Sequence, residues 1–179
     1  YLAAGNYPLA IQYLKQVEYV NAAKWNDLGR AYFLSGDSAA ARTCFRKALQ
    51  AHPLADTATR NHDYGITLKN LGDFAAATNE PDSALLFYQQ SIIQLSSDFN
   101  DLNFAHNPES FQGQHRYIEL FEALLAKARL LKNRISDPGN NSLKNAWNTY
   151  TAVIQLVTHV ERLYDSDESR LFLKKKADI

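Results

Sequence analysis

The segment AAKWNDLGRAYFLSGDSAAARTCFRKALQAHPLA, residues 22–55, decides the fold of this chain. Apolar side chains recur every three or four residues on both sides of its centre, which is the spacing of amphipathic helices. Ser35 and Gly36 interrupt that spacing, and glycine is typical of a helix C-terminus. Pro53 cannot continue a helix and therefore stops the second one. The segment predicts two helices joined by a tight turn.

Within this segment small and large residues follow a fixed order. They are Trp25, Leu28, Gly29, Tyr32, Ala41, Phe45, Ala48 and Pro53. The spacing W-x2-L-G-x2-Y…A-x3-F-x2-A…P resembles the tetratricopeptide (TPR) repeat, a helix–turn–helix unit of about 34 residues. In such a repeat Gly29 and Ala41 let the two helices cross closely, and the large residues fill the surrounding volume. The resemblance implies an all-α fold, an α-α superhelix of TPR-type helical hairpins.

The rest of the chain is predicted to continue the same architecture as a single TPR-like array over residues 1–179. Because the chain lacks methionine and begins in the middle of a repeat pattern, we expect its first helix to belong to a truncated repeat. That helix, at residues 7–20, is predicted to be the second helix of the truncated repeat. The segments predicted after it are a full repeat at 22–55, a repeat with an insertion at 56–97, an irregular connection at 98–114, a long helical hairpin at 115–164 and a terminal helix at 166–178.

The second repeat is predicted from a degenerate copy of the first. Gly65 takes the place of Gly29 in its first helix, which is expected to end near Asp73. Residues 74–80 are then an insertion, and Pro81 opens the next helix at the first position, which proline favours. The pattern of the second helix returns at Ala84, Tyr88 and Ser91.

Composition narrows the class of partner. The 19 lysine and arginine residues balance the 19 aspartate and glutamate residues, so the formal net charge is zero. A nucleic-acid-binding protein usually carries a basic excess, and an anionic membrane attracts a basic face. Neither is visible, and no apolar run approaches the roughly 20 residues of a membrane span. We therefore expect a protein or peptide partner, no nucleic acid and no membrane, and a cytoplasmic location.

The sequence offers no constellation for catalysis or for metal binding. Cys44 is the only cysteine, which excludes an internal disulfide and a cysteine-cluster zinc site. It lies in a repeat helix among neutral neighbours, so we interpret it as structural. The histidines share no ligand spacing; they are His52, His62, His106, His115 and His159. We predict no catalytic residue, no metal and no cofactor.

A second, narrower resemblance covers residues 60–177 and rests mainly on their C-terminal part. Its segments are YIELFEALLAKARLL (117–131), SLKNAWNTYTAVIQLVTHVERLY (142–164) and DSDESRLFLKKKA (165–177). They resemble the repeats that immediately precede the peptidase domain in bacterial CHAT proteins, which are caspase-like peptidases joined to TPR arrays. The resemblance implies that this chain is the non-catalytic, regulatory part of a larger protein. The peptidase domain of that family carries a histidine and cysteine dyad on an α/β fold, and nothing in this chain matches it.

The predicted functional surface is the concave groove that the first helix of each repeat lines. The candidate peptide-binding residues are Asn26, Arg30, Phe33, His62, Ile66 and Lys69. Their polar members could bind a carboxylate or the backbone of an extended ligand, and Phe33 and Ile66 could supply apolar contact. Two other interpretations stay open: a solvated face without a ligand, and a face covered by another part of the same protein. The alternative to a CHAT-type scaffold is a free-standing TPR adaptor that binds an extended peptide.

Overall fold

The computed structural model describes residues 1–2, 4–52, 60–113, 117–134 and 141–163, and within these ranges the chain forms seven α-helices and no strand. The helices are α1 (Tyr7–Gln16), α2 (Ala22–Leu34), α3 (Ser38–Gln50), α4 (His62–Ala77), α5 (Pro81–Leu95), α6 (Tyr117–Asn133) and α7 (Ser142–Leu163). The predicted terminal helix at 166–178, together with Pro53 and His115, lies outside the described residues.

Short polar side chains fix where the first four helices begin. Each accepts a hydrogen bond from the backbone N–H three residues further on, and so satisfies a donor that the helix itself leaves free. These N-caps are Asn6, Asn21, Asp37 and Asn61. Helix α5 instead begins with Pro81, as predicted. The first helix ends at Gln16 rather than at residue 20, because Val17 turns into an extended conformation.

The helices stack in chain order. Three hairpins follow α1: α2 with α3, α4 with α5, and α6 with α7. The first helices of successive hairpins also touch, since α2 packs against α4 and α4 against α6. Among the described helices, substantial packing joins only elements that are neighbours or two places apart. The result is an open array of helical hairpins, which confirms the predicted all-α fold class.

A glycine faces an aromatic ring at the crossing of each of the first two hairpins. A methyl group added at Gly29 would lie 2.6 Å from the Phe45 ring, and one added at Gly72 would lie 2.5 Å from the Tyr88 ring. Both distances are shorter than any ordinary carbon–carbon contact. The two pairs have the same separation in sequence, so Gly72, and not Gly65, is the counterpart of Gly29.

This equivalence corrects the predicted second repeat. Residues 74–77 are not an insertion, because α4 continues through them to Ala77 before a short turn leads into Pro81. The additional length of the second repeat lies before Gly72: α4 begins ten residues before this glycine, whereas α2 begins seven residues before Gly29. Gly65 has a different neighbour: a methyl group there would meet the Leu95 side chain at 2.8 Å.

The largest apolar cluster of the described residues joins α5, α6 and α7. Leu120, Leu124, Val153 and Leu156 are almost fully buried in it, and Phe111 reaches it from the connection between α5 and α6. A core of this kind supplies most of the stabilisation of packed helices, at about 25 cal/mol per Å² of apolar surface buried. The third hairpin is thus bound firmly to the second.

Two buried polar side chains hold the irregular connection that follows α5. Gln89 donates from Nε2 to the carbonyl oxygens of Asp101 (2.6 Å) and Asn103 (3.0 Å). The fully buried Lys127 of α6 donates from Nζ to Gln89 Oε1 (2.6 Å), to the His106 carbonyl oxygen (3.0 Å) and to Asn107 Oδ1 (2.9 Å). These side chains thus satisfy buried carbonyl groups of the connection.

Candidate peptide-binding cleft

A cleft of about 260 Å³ opens where the first helices of the three hairpins lie side by side. Helices α2, α4 and α6 each contribute to its wall, and the end of α5 closes part of it. Its lining residues are Arg30, Ile66, Lys69, Asn70, Leu95, Ile118, Glu119 and Glu122. Three of the six candidate residues predicted from the sequence, Arg30, Ile66 and Lys69, therefore lie together in one cleft.

The charges of this cleft are mixed. Lys69 Nζ lies 2.8 Å from an Asp73 carboxylate oxygen and 3.8 Å from a carboxylate oxygen of Glu122. This lysine already has anionic neighbours, which limits the energy it gains from a ligand carboxylate. In the described part of the chain no ion pair involves Arg30, whose side chain is exposed. Arg30 is thus the cation of the cleft that a ligand can approach most directly.

Asn26 is directed into the interface between two first helices. Its side chain is only 5% exposed, and its Nδ2 donates a 2.8 Å hydrogen bond to Thr67 Oγ1 of α4. Because helices of a stacked array approach closely along this line, a polar side chain there needs a partner from the neighbouring helix. In this arrangement Asn26 fastens α2 to α4 and is not directed into the cleft.

Phe33 and His62 also lie apart from the cleft. Phe33 is half-buried and packs edge-on against Phe74, with ring centroids 5.6 Å apart. His62 is the first residue of α4, one turn before Ile66. His62 takes the place of Asn26 only when Gly65 is aligned with Gly29. When Gly72 is aligned with Gly29 instead, Lys69 takes that place.

The third hairpin supplies cleft residues that the sequence analysis missed. Ile118, Glu119 and Glu122 lie on the first turns of α6 and face the cleft. Their helical spacing is visible in the sequence, but α6 lacks the Leu-Gly and aromatic landmarks that place a residue in a repeat. Only the packing of α6 against α4 shows which of its faces is directed to the groove.

Neither a metal-type cluster nor a reactive thiol is found among the described residues. They include no group of three or more His, Cys, Asp or Glu side chains placed to hold a metal ion. Cys44 is buried, and burial raises the pKa of its thiol. A thiol with a raised pKa is a poor nucleophile near neutral pH. None of the described helices combines the length and the hydropathy needed to cross a bilayer.

Comparison with known families agrees with this architecture. Residues 20–92 match the family model described as tetratricopeptide repeat. The matched segment contains α2, α3, α4 and most of α5, and thus both glycine–aromatic crossings. The fold is accordingly the all-α helical-repeat fold of TPR type, and repeats of this class generally mediate protein–protein interaction. A comparison with curated proteins found no match.

Proposed function

We propose that this chain is a non-catalytic scaffold whose cleft between α2, α4 and α6 binds an extended segment of a partner protein. The convergence of Arg30, Ile66 and Lys69 from two helices with Ile118 from a third carries the proposal. A volume of about 260 Å³ suits one or two side chains of a peptide rather than a whole small-molecule ligand.

The lining residues indicate what such a segment presents. Arg30 can bind a carboxylate or a backbone carbonyl, and Ile66 and Ile118 offer apolar contact to a side chain between them. Glu119 and Glu122 on the facing helix oppose a purely acidic ligand, since like charges across an interface are unfavourable. The expected ligand is therefore an apolar residue flanked by groups of both signs.

The wider context of this scaffold is proposed from the resemblance of residues 60–177 to CHAT proteins. In that context the array is the regulatory or partner-binding part of a bacterial CHAT-type peptidase, and a peptidase domain of the same polypeptide is one candidate occupant of the groove. The alternative is a free-standing adaptor that takes an extended peptide from another protein. A caspase-like strand–helix pattern encoded after Ile179 would favour the first context, and further repeats or a stop codon the second.

The cleft assignment is tested by selecting peptides from a random displayed library on this protein and measuring their affinity by fluorescence anisotropy. The double variant Arg30→Glu/Ile66→Asp should weaken the selected peptides by at least about tenfold, because it reverses the accessible cation and removes the central apolar contact. Lys69 is left unchanged, since a carboxylate beside Asp73 and Glu122 would also destabilise the fold.

The matched control is Arg46→Glu/Leu86→Asp, which makes the same changes at exposed positions outside this cleft. It should bind the selected peptides as the parent protein does. Equal affinity of the parent protein and the cleft variant would show that the peptides bind elsewhere. A library that yields no peptide at all would contradict peptide binding as the function.

A further inference from the structure

A second and larger cleft, of about 580 Å³, lies between α1, α2 and α3. It shares no lining residue with the cleft described above. Its lining residues are Lys15, Lys24, Trp25, Leu28, Tyr32, Asp37, Ala39, Ala40, Thr43, Cys44 and Lys47. Each of the three helices contributes one lysine, although the whole chain has no net charge.

The three ammonium groups have neutral partners. Lys47 Nζ lies over the Trp25 ring, 4.3 Å from its centroid, and Lys15 Nζ lies 5.6 Å from the centroid of the Tyr32 ring. Lys24 donates to the backbone carbonyl oxygen of Val17. In the part of the chain that the structure describes, none of these lysines forms an ion pair with a carboxylate. Their charges are therefore available to an anionic ligand.

The acidic residue among the described lining residues of this cleft already has a structural role. Asp37 caps α3, and its carboxylate accepts a 2.9 Å hydrogen bond from the Ala40 backbone N–H. A carboxylate at a helix N-terminus is compensated by the positive end of the helix dipole. The field inside the cleft is thus dominated by the lysines, in contrast to the mixed charges of the first cleft.

Apolar surface lies between the cationic groups. Trp25 and Tyr32 are half-buried and Leu28 is buried, so this cleft can receive an apolar side chain as well as anionic groups. The lysines come from three different helices and are spread along the wall, which suits several separate anionic groups better than one compact ion. The volume likewise exceeds that of a single phosphate or sulfate.

We propose that the cleft between α1, α2 and α3 binds an acidic segment of a partner protein, with carboxylates at Lys15, Lys24 and Lys47 and an apolar side chain against Trp25 and Tyr32. Complementary charge gives such a contact its selectivity, and the aromatic rings supply contact area. With two clefts of different charge, the scaffold can hold two chemically different segments.

The probe is a fluorescently labelled peptide of sequence Glu-Glu-Leu-Glu-Glu-Leu, whose binding is followed by anisotropy. The parent protein should bind it, and added NaCl should weaken the binding because salt screens exposed charges. Lys15→Glu/Lys47→Glu should lower the affinity at least about tenfold. Circular dichroism tests whether this variant is folded. If it is unfolded, Lys15→Met/Lys47→Met takes its place, and we again expect a loss of affinity.

The matched control is Lys132→Glu/Lys144→Glu, which makes the same charge change at exposed positions on α6 and α7. This control and Arg30→Glu of the first cleft should both leave binding of the acidic peptide unchanged. An equal loss in the Lys132/Lys144 control would reveal unspecific charge attraction and overturn the proposal. Two other results would also overturn the proposal. One is displacement of the peptide by inorganic phosphate added at a concentration that supplies the same total negative charge, and the other is unaltered binding of the peptide by the Lys15/Lys47 variant.

Discussion

Replacement of Gly29 by leucine is expected to unfold the first hairpin. Even a methyl group at this position would lie 2.6 Å from the Phe45 ring. Phe45 is 1% exposed and packs against Phe74, with ring centroids 5.7 Å apart, so it has no free space to move into. We expect a loss of more than about 3 kcal/mol in the free energy of unfolding, at the upper end for overpacked cores. Urea denaturation followed by circular dichroism at 222 nm measures it.

Ala23→Leu is the matched control, because it adds the same kind of side chain at an exposed position of the same helix. It should change the stability by less than about 0.5 kcal/mol. A Gly29→Leu variant as stable as this control would contradict the close crossing of α2 and α3.

The same reasoning separates the two glycines of the second hairpin. The Tyr88 ring that faces Gly72 is rigid and is held by a 3.0 Å hydrogen bond from its hydroxyl to Asp73. Gly65 instead faces the buried aliphatic side chain of Leu95, 2.8 Å from its Cγ, which can adjust by rotation about its two side-chain bonds. Gly72→Ala should therefore destabilise the protein more than Gly65→Ala. A larger destabilisation by Gly65→Ala than by Gly72→Ala would support the alignment in which Gly65 is the counterpart of Gly29.

Replacement of Lys127 by methionine is expected to loosen the connection between α5 and α6. It leaves Gln89 Oε1 and Asn107 Oδ1 without their donor, and an unsatisfied buried acceptor costs about 1–3 kcal/mol. At low pH part of this loss is offset, because the variant no longer buries a charge. Hydrogen exchange of residues 98–113 and urea denaturation measure the local and the global effect.

The size of the Lys127 effect should depend on pH. Burial lowers the pKa of Lys127 to about 7 in the folded protein, from an ordinary value of 10.5 that the unfolded chain retains, with Asp101 opposing the shift. Between these values the unfolded chain binds more protons, so the stability of the parent protein rises with pH relative to the variant. We expect the difference to grow from about 1 kcal/mol near pH 6 to about 3 kcal/mol near pH 9.

Lys132→Met on the same helix serves as the control, because its side chain is exposed. The difference in the free energy of unfolding between this control and the parent protein should be small and independent of pH. If the Lys127→Met difference were equally independent of pH, the lysine would stay fully charged throughout, held by its three acceptor oxygens.

The first repeat could be predicted from the sequence because its signals are local. Caps, a turn glycine and side chains of fixed size lie at fixed offsets within one hairpin, and each acts on its near neighbours. The close crossing at Gly29 and the turn at Ser35 and Gly36 needed no knowledge of distant contacts.

The second repeat was misaligned because two glycines in α4 both satisfy the local pattern. Gly65 and Gly72 are seven residues apart, about two turns, and therefore lie on nearly the same face of the helix. Which of them lies against the Tyr88 ring of α5 depends on the axial position of α4 along α5, and tertiary packing decides that position. The error moved His62 into the predicted groove.

The sequence by itself determined that this protein is an array of helical hairpins and that Arg30, Ile66 and Lys69 are candidates for its groove. The tertiary structure decided that Asn26 and Phe33 are used to join helices, that α6 completes the first cleft, and that lysines from three helices meet in the second. Local patterns specify helices and turns, whereas the neighbours of a side chain on another helix depend on register and crossing, which no single segment contains.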